Sequence, residues 1–330
     1  MTHKEIAKKA NVSVSTVSKA LSGSRDISEE IAKHVIQIAI DIGYFKEKNK
    51  KSFENKRNQS VLVAIVCPEI ISIHYSKIVT DIKKAVEAKG GQVAVYIYDF
   101  DLQKKEEIVK MLILRGFCDG IVLFNTYNFE ASSNIPILCF EGDKTEVNKN
   151  YDIVYTDYSN ILHTAVSCLV NSGHRKIGFI GEPKTIGKQN HFKDALENLG
   201  IRANENYLYI IDKRFEEIGY DAAELFMNSK DRPTAFVAAY DEIALAFIQK
   251  LSRNGYTIPD DVSVVGINDI PFSSYAHTPL TTVKTLYEEG LYEAINLLFD
   301  EILNNLPSGH KIANKHTLIN RETVKEIKND

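Results

Sequence analysis

The sequence predicts an all-α N-terminal headpiece followed by an α/β core of two doubly wound parallel-sheet subdomains. Three observations carry that prediction. Residues 1–45 contain three short stretches with apolar side chains at helical spacing. From Val61 onward, short apolar runs alternate with amphipathic segments, and the alternation occurs as two successive sets. A polar, basic link without apolar periodicity separates the headpiece from the core.

In the headpiece, Ile6, Ala7 and Ala10 share one helical face, and Asn11-Val12-Ser13 interrupts them. Val17, Ala20 and Leu21 resume an apolar stripe, with Ser13 and Ser15 as candidate N-caps for this second helix. A third series, Ile31, Val35, Ile38 and Ile42, follows Ser28-Glu29-Glu30 and stops at Gly43. Helices this short do not stand alone, because nucleation is costly. The tight turn between the first two suggests a helix-turn-helix, although a plain three-helix bundle has much the same periodicity. The open face of the second helix then carries Val14, Ser15, Ser18 and Lys19, groups small, polar or basic enough to enter a major groove.

The core reads as repeated β–α units. VLVAIV, QVAVYIY, DGIVLF and PILCF alternate with helical patterns through Ile78/Ile82/Ala85/Val86 and Ile108/Leu112. After Asp157 the set recurs with KIGFIG, YLYII, TAFVAA and DVSVVGI as strands. Strands that alternate with helices imply parallel sheets covered on both faces.

With 330 residues the chain is long enough for two or three compact units. No apolar run approaches the ~20 residues of a membrane span. The polar N-terminus lacks the pattern of a secretion signal, so a cytoplasmic protein is expected. Cys67, Cys118, Cys139 and Cys168 are widely spaced in apolar stretches and read as buried reduced thiols rather than a metal or redox set. Net charge is −4, yet residues 1–60 hold twelve Lys/Arg against seven Asp/Glu, so the headpiece end is basic and the remainder acidic. Local charge of this kind bears on phosphate contact, and the whole-chain value does not.

The string IAKKANVSVSTVSKALSGSRDISEEIAKHVIQIAIDIGY resembles the head of the LacI/GalR family of bacterial transcription regulators. The resemblance continues through CDGIVL, GHRKIGFIG, RPTAFVAAYDEIALA, IPDDVSVVGINDIPFSSYAHTPLTTV and NRETV. It implies a helix-turn-helix DNA-binding domain over residues 1–45, a hinge over 46–60 and a type I periplasmic-binding-protein-like core over 61–330. The core would divide into 61–156 plus 285–306 and 157–284 plus 307–330, with crossings near Tyr155–Asp157, near Thr281–Lys284 and before the last strand. By the family pattern, Ser13, Ser18 and Ser22 hold phosphates, while Val14, Ser15, Thr16, Lys19 and Arg25 lie at or near base edges. The segment 44–60, with six basic and two acidic residues, aligns with the hinge helix that enters the minor groove. Lys50-Lys51-Ser52-Phe53 stands where the family has a small residue, Arg, Ser and Leu. Lys51 is then a phosphate contact and Phe53 the wedge that unstacks a base step. Lys48, Asn49 and Lys50 depart from the family's alanine-rich run.

Ligands of open parallel sheets bind beyond the carboxyl ends of the strands, here expected in a cleft between the two halves. His74, Tyr75, Asp157, Tyr240, Asp241, Asn268 and Asp269 fall at such ends. Each also has a plainer reading as a helix start, an N-cap or a turn. Asp269 matches the family's effector-binding aspartate, and Tyr75 offers a stacking face for a sugar ring. Lys188 stands where many relatives have arginine, keeping the charge without the planar fork. Tyr240-Asp241 replaces a common Asn-Asp. The effector-binding set is thus His74, Tyr75, Asp157, Lys188, Tyr240 and Asp269.

Enzyme signatures are weak. The stretch from Gly181 to Lys188 has one residue too many for a phosphate loop and continues with Gln189 instead of Ser/Thr. No strand is followed by a dinucleotide fingerprint, and His174 has no nucleophile or metal-ligand companion at a recognisable spacing. The resemblance therefore implies a homodimeric transcriptional regulator without a cofactor or metal. It would bind a near-palindromic operator and a sugar or sugar derivative, most simply as repressor of a carbohydrate-utilisation operon. A corepressor-dependent regulator, or a cytosolic sugar sensor without specific DNA binding, remains the alternative.

Overall fold

Apart from residues 1, 23, 25, 43, 45–59, 126–134, 143–150 and 328–330, the whole chain is described by the structure, a computed structural model. The headpiece consists of α1 (His3–Ala10), α2 (Val14–Ser22) and α3 (Glu29–Asp41). The Glu5 carboxylate accepts from the Thr2 backbone N–H at 2.7 Å and so occupies an otherwise orphan donor at the start of α1. Asn11 closes that helix in the left-handed region at φ 54°, a conformation its short polar side chain tolerates. Ser13 caps α2, its Oγ accepting from the Thr16 N–H at 3.0 Å. Ser15, the other candidate cap, instead lies inside α2, with its hydroxyl 2.7 Å from that of Ser13. Ile6, Ala7, Ala10, Val17, Ala20, Val35 and Ala39 close the core between the three helices. Ile31 is 41% exposed and does not join it, because a core this small covers only the Val35/Ala39 side of α3.

The chain forms two compact units, Met1–Tyr155 with Glu288–Ile312, and Thr156–Tyr287 with Ala313–Asp330. In the first, β1 (Leu62–Cys67), β2 (Gln92–Ile97), β3 (Gly120–Phe124), β4 (Ile137–Gly142) and β5 (Asp152–Thr156) form a parallel sheet in the order β2-β1-β3-β4-β5. Strand alternation sends Ala64 and Val66 of β1 to one face, where they meet Val109, Leu112 and Ile113 of α5 (Leu102–Arg115). The helices α4 (Ile73–Ala88) and α11 (Glu288–Asn304) pack together and against the same sheet. α11 lies so close to β3 that a Cβ on Gly120 would sit 2.7 Å from the Ile302 side chain.

The second unit holds β6 (Ile177–Gly181), β7 (Leu208–Ile210), β8 (Ala235–Ala238), β9 (Ser263–Ile267), β10 (Thr281–Leu286) and, from Ala313 on, β11 (Lys311–Ile319), in the order β11-β10-β9-β8-β6-β7. All its neighbours are parallel except β10 and β11, where Thr282 opposes Ile319 and Leu286 opposes Lys315. Residues 281–286 are thus a full ladder strand of this unit, and the chain leaves the unit only after Tyr287. The helices are α6 (Tyr158–Asn171), α7 (Ile186–Asn198), α8 (Glu216–Asn228), α9 (Asp241–Arg253) and the one-turn α10 (Phe272–Tyr275). β6 steps outward to β7 and the chain then returns to β8, so right-handed crossovers place α7 and α8 on opposite faces. α8 and α9 approach closely at Gly219, where a Cβ would lie 2.5 Å from the Ile243 carbonyl oxygen.

Cys67, Cys118 and Cys139 are buried free thiols, and Cys168 is half-buried. Burial, then the Glu69 carboxylate, pushes the Cys67 thiol up to about 11, so it stays protonated and unreactive. Among the described residues, no helix is long and apolar enough to cross a membrane.

Candidate DNA-reading head and effector site

The seated α1–α3 core leaves one face of α2 open. Val14 is 43% exposed, and Ser15, Ser18 and Lys19 are exposed beside it, with Thr16 half-buried. The Ser13 hydroxyl holds the N-terminus of this helix and also pairs with the Thr16 hydroxyl at 2.8 Å. Ser22 donates its hydroxyl proton to the Lys19 carbonyl at 3.1 Å, and Lys19 Nζ lies 3.5 Å from the Asp26 carboxylate. That ion pair is exposed, so a phosphate or guanine edge can displace Asp26 at little cost. Arg25, Lys51 and Phe53 lie outside the described residues.

In an open sheet the strand order reverses at one point, and carboxyl ends of the strands flanking that point frame a crevice. In the first unit the reversal lies between β1 and β3. Beyond β1, the carboxylate of Glu69 accepts from the Ser72 N–H at 2.9 Å and shapes the turn into α4. His74 and Tyr75 follow on the first turn of that helix. His74 Nε2 lies 2.8 Å from the Glu141 carboxylate at the end of β4. Tyr75 is half-buried, edge-on to Phe124 and Phe100 with ring centroids 5.7 and 6.3 Å away. Beyond β3, Asn125 donates from Nδ2 to the Tyr98 hydroxyl at 2.9 Å, and the fully buried Lys105 donates to the Asn125 carbonyl at 3.1 Å. Burial pushes the Tyr98 phenol up to about 12, which keeps its proton in place.

In the second unit the reversal lies between β6 and β8. Buried Glu182, just past β6, accepts from the Tyr240 hydroxyl at 2.8 Å and lies 3.3 Å from Arg214 Nε. Burial, then the adjacent carboxylate, raises the Tyr240 phenol above its ordinary range, so it remains a donor. Lys188 donates to the Ala239 carbonyl at 2.8 Å with its ammonium 4.8 Å from the centre of the Tyr158 ring. Asp157 serves as N-cap of α6, accepting from the Asn160 N–H at 3.3 Å and from its side-chain amide at 3.1 Å.

Asp269 follows β9 in a turn where Asn268 and Asp269 both have positive φ, 112° and 52°. Asp269 thus lies in a turn, as its plainer reading has it, and its carboxylate is also engaged by two basic side chains. Arg321 Nη2 donates to it at 2.6 Å, and Lys284 Nζ lies 3.5 Å away. Arg321 also donates to the Leu280 carbonyl at 2.8 Å, which fixes the guanidinium. Asp241, considered beside Tyr240 as a strand-end acceptor, is wholly buried: it accepts from Ile270 N–H, Ser273 Oγ and Thr282 Oγ1 at 2.9, 2.8 and 2.7 Å. It therefore ties the 268–273 turn to β10 and presents nothing to a ligand.

Glu69, Asn125, Glu141, Glu182, Arg214, Lys284 and Arg321 escape the sequence reading. The rule that selects Tyr240 also selects Asn125 and Glu182, each the first residue beyond an apolar run. Arg321 stands in NRETV without a local sign of its partner, 52 residues earlier.

A family model described as bacterial regulatory proteins, lacI family, matches residues 2–47, and a periplasmic binding protein-like domain matches residues 166–324. Residues 2–47 thus form a DNA-binding domain of the lacI family of bacterial regulatory proteins. It is 26% identical over 332 residues to the HTH-type transcriptional repressor CytR of Escherichia coli (strain K12), with 98% of this chain and 96% of that protein covered. Among solved structures, a complex of the transcriptional regulator CelR with cellobiose has a TM-score of 0.69 at 23% identity, covering 98% of this chain and 100% of that one. The lac repressor dimer bound to operator and the anti-inducer ONPF has a TM-score of 0.70 at 20% identity, covering 98% and 99%. The chain thus carries a lacI-type DNA-binding head and a periplasmic-binding-protein-like core on one polypeptide.

Proposed function

We propose that this lacI-family regulator is a homodimeric repressor of a carbohydrate-utilisation operon, released by a sugar or sugar derivative. The observation that carries the DNA half is the open Val14/Ser15/Ser18/Lys19 face of a capped α2 on a basic headpiece. Ser15, Thr16, Val14 and Lys19 read base edges, with Arg25 beside them. Ser13, Ser18, Ser22 and Lys51 hold phosphates, and Phe53 wedges the operator centre.

The effector-binding groups are polar and aromatic side chains at or just beyond the carboxyl ends of strands: His74, Tyr75, Asp157, Lys188, Tyr240 and Asp269. Half-buried aromatic faces beside acceptors already oriented by a base suit a polyhydroxylated ring. Lys188 is engaged by a carbonyl and an aromatic face, which favours a neutral ligand over an anion. Ligand and operator select different conformations of the core, so each weakens the other's binding by the same factor. Regulation, and no catalytic step, is the role assigned.

Binding-site selection with the full chain tests this, followed by titration of the selected duplex in the presence of sugars that raise the protein's melting temperature. A near-palindromic consensus and weakening by one sugar are expected. Recovery of random sequences would refute specific DNA binding, and tighter DNA binding with sugar would make the ligand a corepressor.

A further inference from the structure

Away from both sites, three ligand-type side chains of the first unit converge at the start of β5. Asp152 is 1% exposed, Glu301 on the last turn of α11 is 7% exposed, and His310 precedes β11 with its side chain half open to solvent. One donor atom from each of the three lies within 4.8 Å of the other two. The two carboxylates are unevenly satisfied. Asp152 Oδ1 accepts from the Gly309 and His310 backbone N–H groups, both at 2.8 Å, and lies 3.0 Å from His310 Nδ1. Asp152 Oδ2 and Glu301 Oε1 are buried, and among the described residues no donor reaches either. Two adjacent buried carboxylate oxygens cannot both stay anionic and unsatisfied, since each alone costs far more than a surface acid.

We propose that Asp152, Glu301 and His310 form a binding site for a divalent transition-metal ion of the zinc class. The donor set is two carboxylate oxygens and one imidazole nitrogen, the mixed oxygen–nitrogen chemistry that zinc accepts at about 2.0–2.2 Å with water as fourth ligand. Imidazole disfavours magnesium and calcium, which take oxygen ligands. The backbone N–H groups on Asp152 Oδ1 orient that carboxylate from behind, as outer-shell donors do in metal sites. The exposed edge of His310 supplies the entry path. An ion here ties together the end of α11, the 304–310 connection and the start of β5. It leaves α2 and the strand ends beyond β6, β8 and β9 untouched.

The competing arrangement is a single proton shared between Glu301 and Asp152. Equilibrium dialysis of the chelator-stripped full chain against Zn²⁺, Co²⁺ and Mg²⁺ separates the two. One Zn²⁺ per chain is expected, with a rise in melting temperature of several degrees, visible Co²⁺ absorption of a low-symmetry site and no effect of Mg²⁺ at equal concentration. Glu301→Gln and His310→Gln should each lose the bound ion and the thermal shift. The glutamine at 301 keeps the size of the buried side chain and His310 is exposed, so both variants retain the fold. Operator binding by the stripped variants should match that of the stripped wild-type chain. No zinc uptake by the wild-type chain, or equal uptake by both variants, would overturn the site and leave the shared proton as the explanation.

Discussion

Asp241 and Asp269 lie beyond strands of the same sheet, yet the fold uses them in opposite ways. Asp241 is sealed among three donors, with burial raising its carboxyl above the ordinary range against the pull of Thr282, Ser273 and Ile270. Gly266 makes room for it, since a Cβ there would lie 2.1 Å from Asp241 Oδ1. Asp241→Ala leaves donors unpaired at about 1–3 kcal/mol each. Urea unfolding should therefore show a loss of several kcal/mol for Asp241→Ala and a severe loss for Gly266→Ala; near-wild-type midpoints would contradict the described turn. His174 gives a pH signature. It sits in the turn after α6, 1% exposed, with Nδ1 2.9 Å from the Thr234 hydroxyl, and burial lowers its pKa from the ordinary 6.5. A depressed folded-state pKa contributes stability above the unfolded value that is lost as pH falls through the folded value. The stability advantage of the wild-type chain over His174→Gln should hold at pH 7–8 and shrink below pH 6.5. An advantage unchanged at pH 5 would show that the folded imidazole takes up its proton as readily as the unfolded one, against its burial.

At the scale of the element, the proposed function gives α2 and the 46–60 link separate parts in DNA recognition. α2 is positioned by Val17 and Ala20 in the core and by the Ser13 cap, so its outer face is free to be chosen for chemistry. Lys19→Ala should weaken operator binding and relax base preference by about 1–3 kcal/mol if the contact is bidentate to guanine. Lys51→Ala should weaken all sequences alike and reduce the salt slope by about one. Phe53→Ala should lower operator affinity far more than random-DNA affinity, because a wedge acts only where a base step is unstacked. Fluorescence titrations on operator and random duplexes at two salt concentrations distinguish these outcomes. Equal losses for Phe53→Ala on both duplexes would make residues 46–60 an ordinary tether.

At the scale of the molecule, the proposed function requires coupling between an effector and an operator that touch different parts of the chain. A ligand shifts an equilibrium only through differential affinity for its states. Asp269→Ala should therefore silence the effector while operator binding survives. The Arg321 pair adds a consequence absent from the sequence reading: truncation also strips a half-buried guanidinium of its partner, so the core should lose about 1–3 kcal/mol as well. Arg321→Ala should reproduce both effects, since it releases the Asp269 carboxylate from its orientation. Lys188→Ala should have little effect with a neutral sugar and a large one with an anionic ligand. Calorimetric titration of these variants decides the matter; an unchanged ligand affinity in Asp269→Ala would move the binding site elsewhere.

The sequence by itself determined the elements and the class of the protein. Apolar periodicity is local, so α1–α3 and the strand–helix alternation can be read from neighbours a few residues apart, and so can the open face of α2. The strand-end positions are equally legible, because the end of an apolar run marks them. What each polar group does there was decided by tertiary structure. Asp241 and Asp269 follow strand ends of the same type, and only the arrival of Thr282 and Ser273 at one and Arg321 at the other makes them a hydroxyl-bound clamp and a guanidinium-paired carboxylate. Asp152, Glu301 and His310 are separated by up to 158 residues and have no spacing that announces a site. Long-range pairing of this kind follows from the order of strands in a sheet, a property of the folded chain that no local pattern of residues encodes.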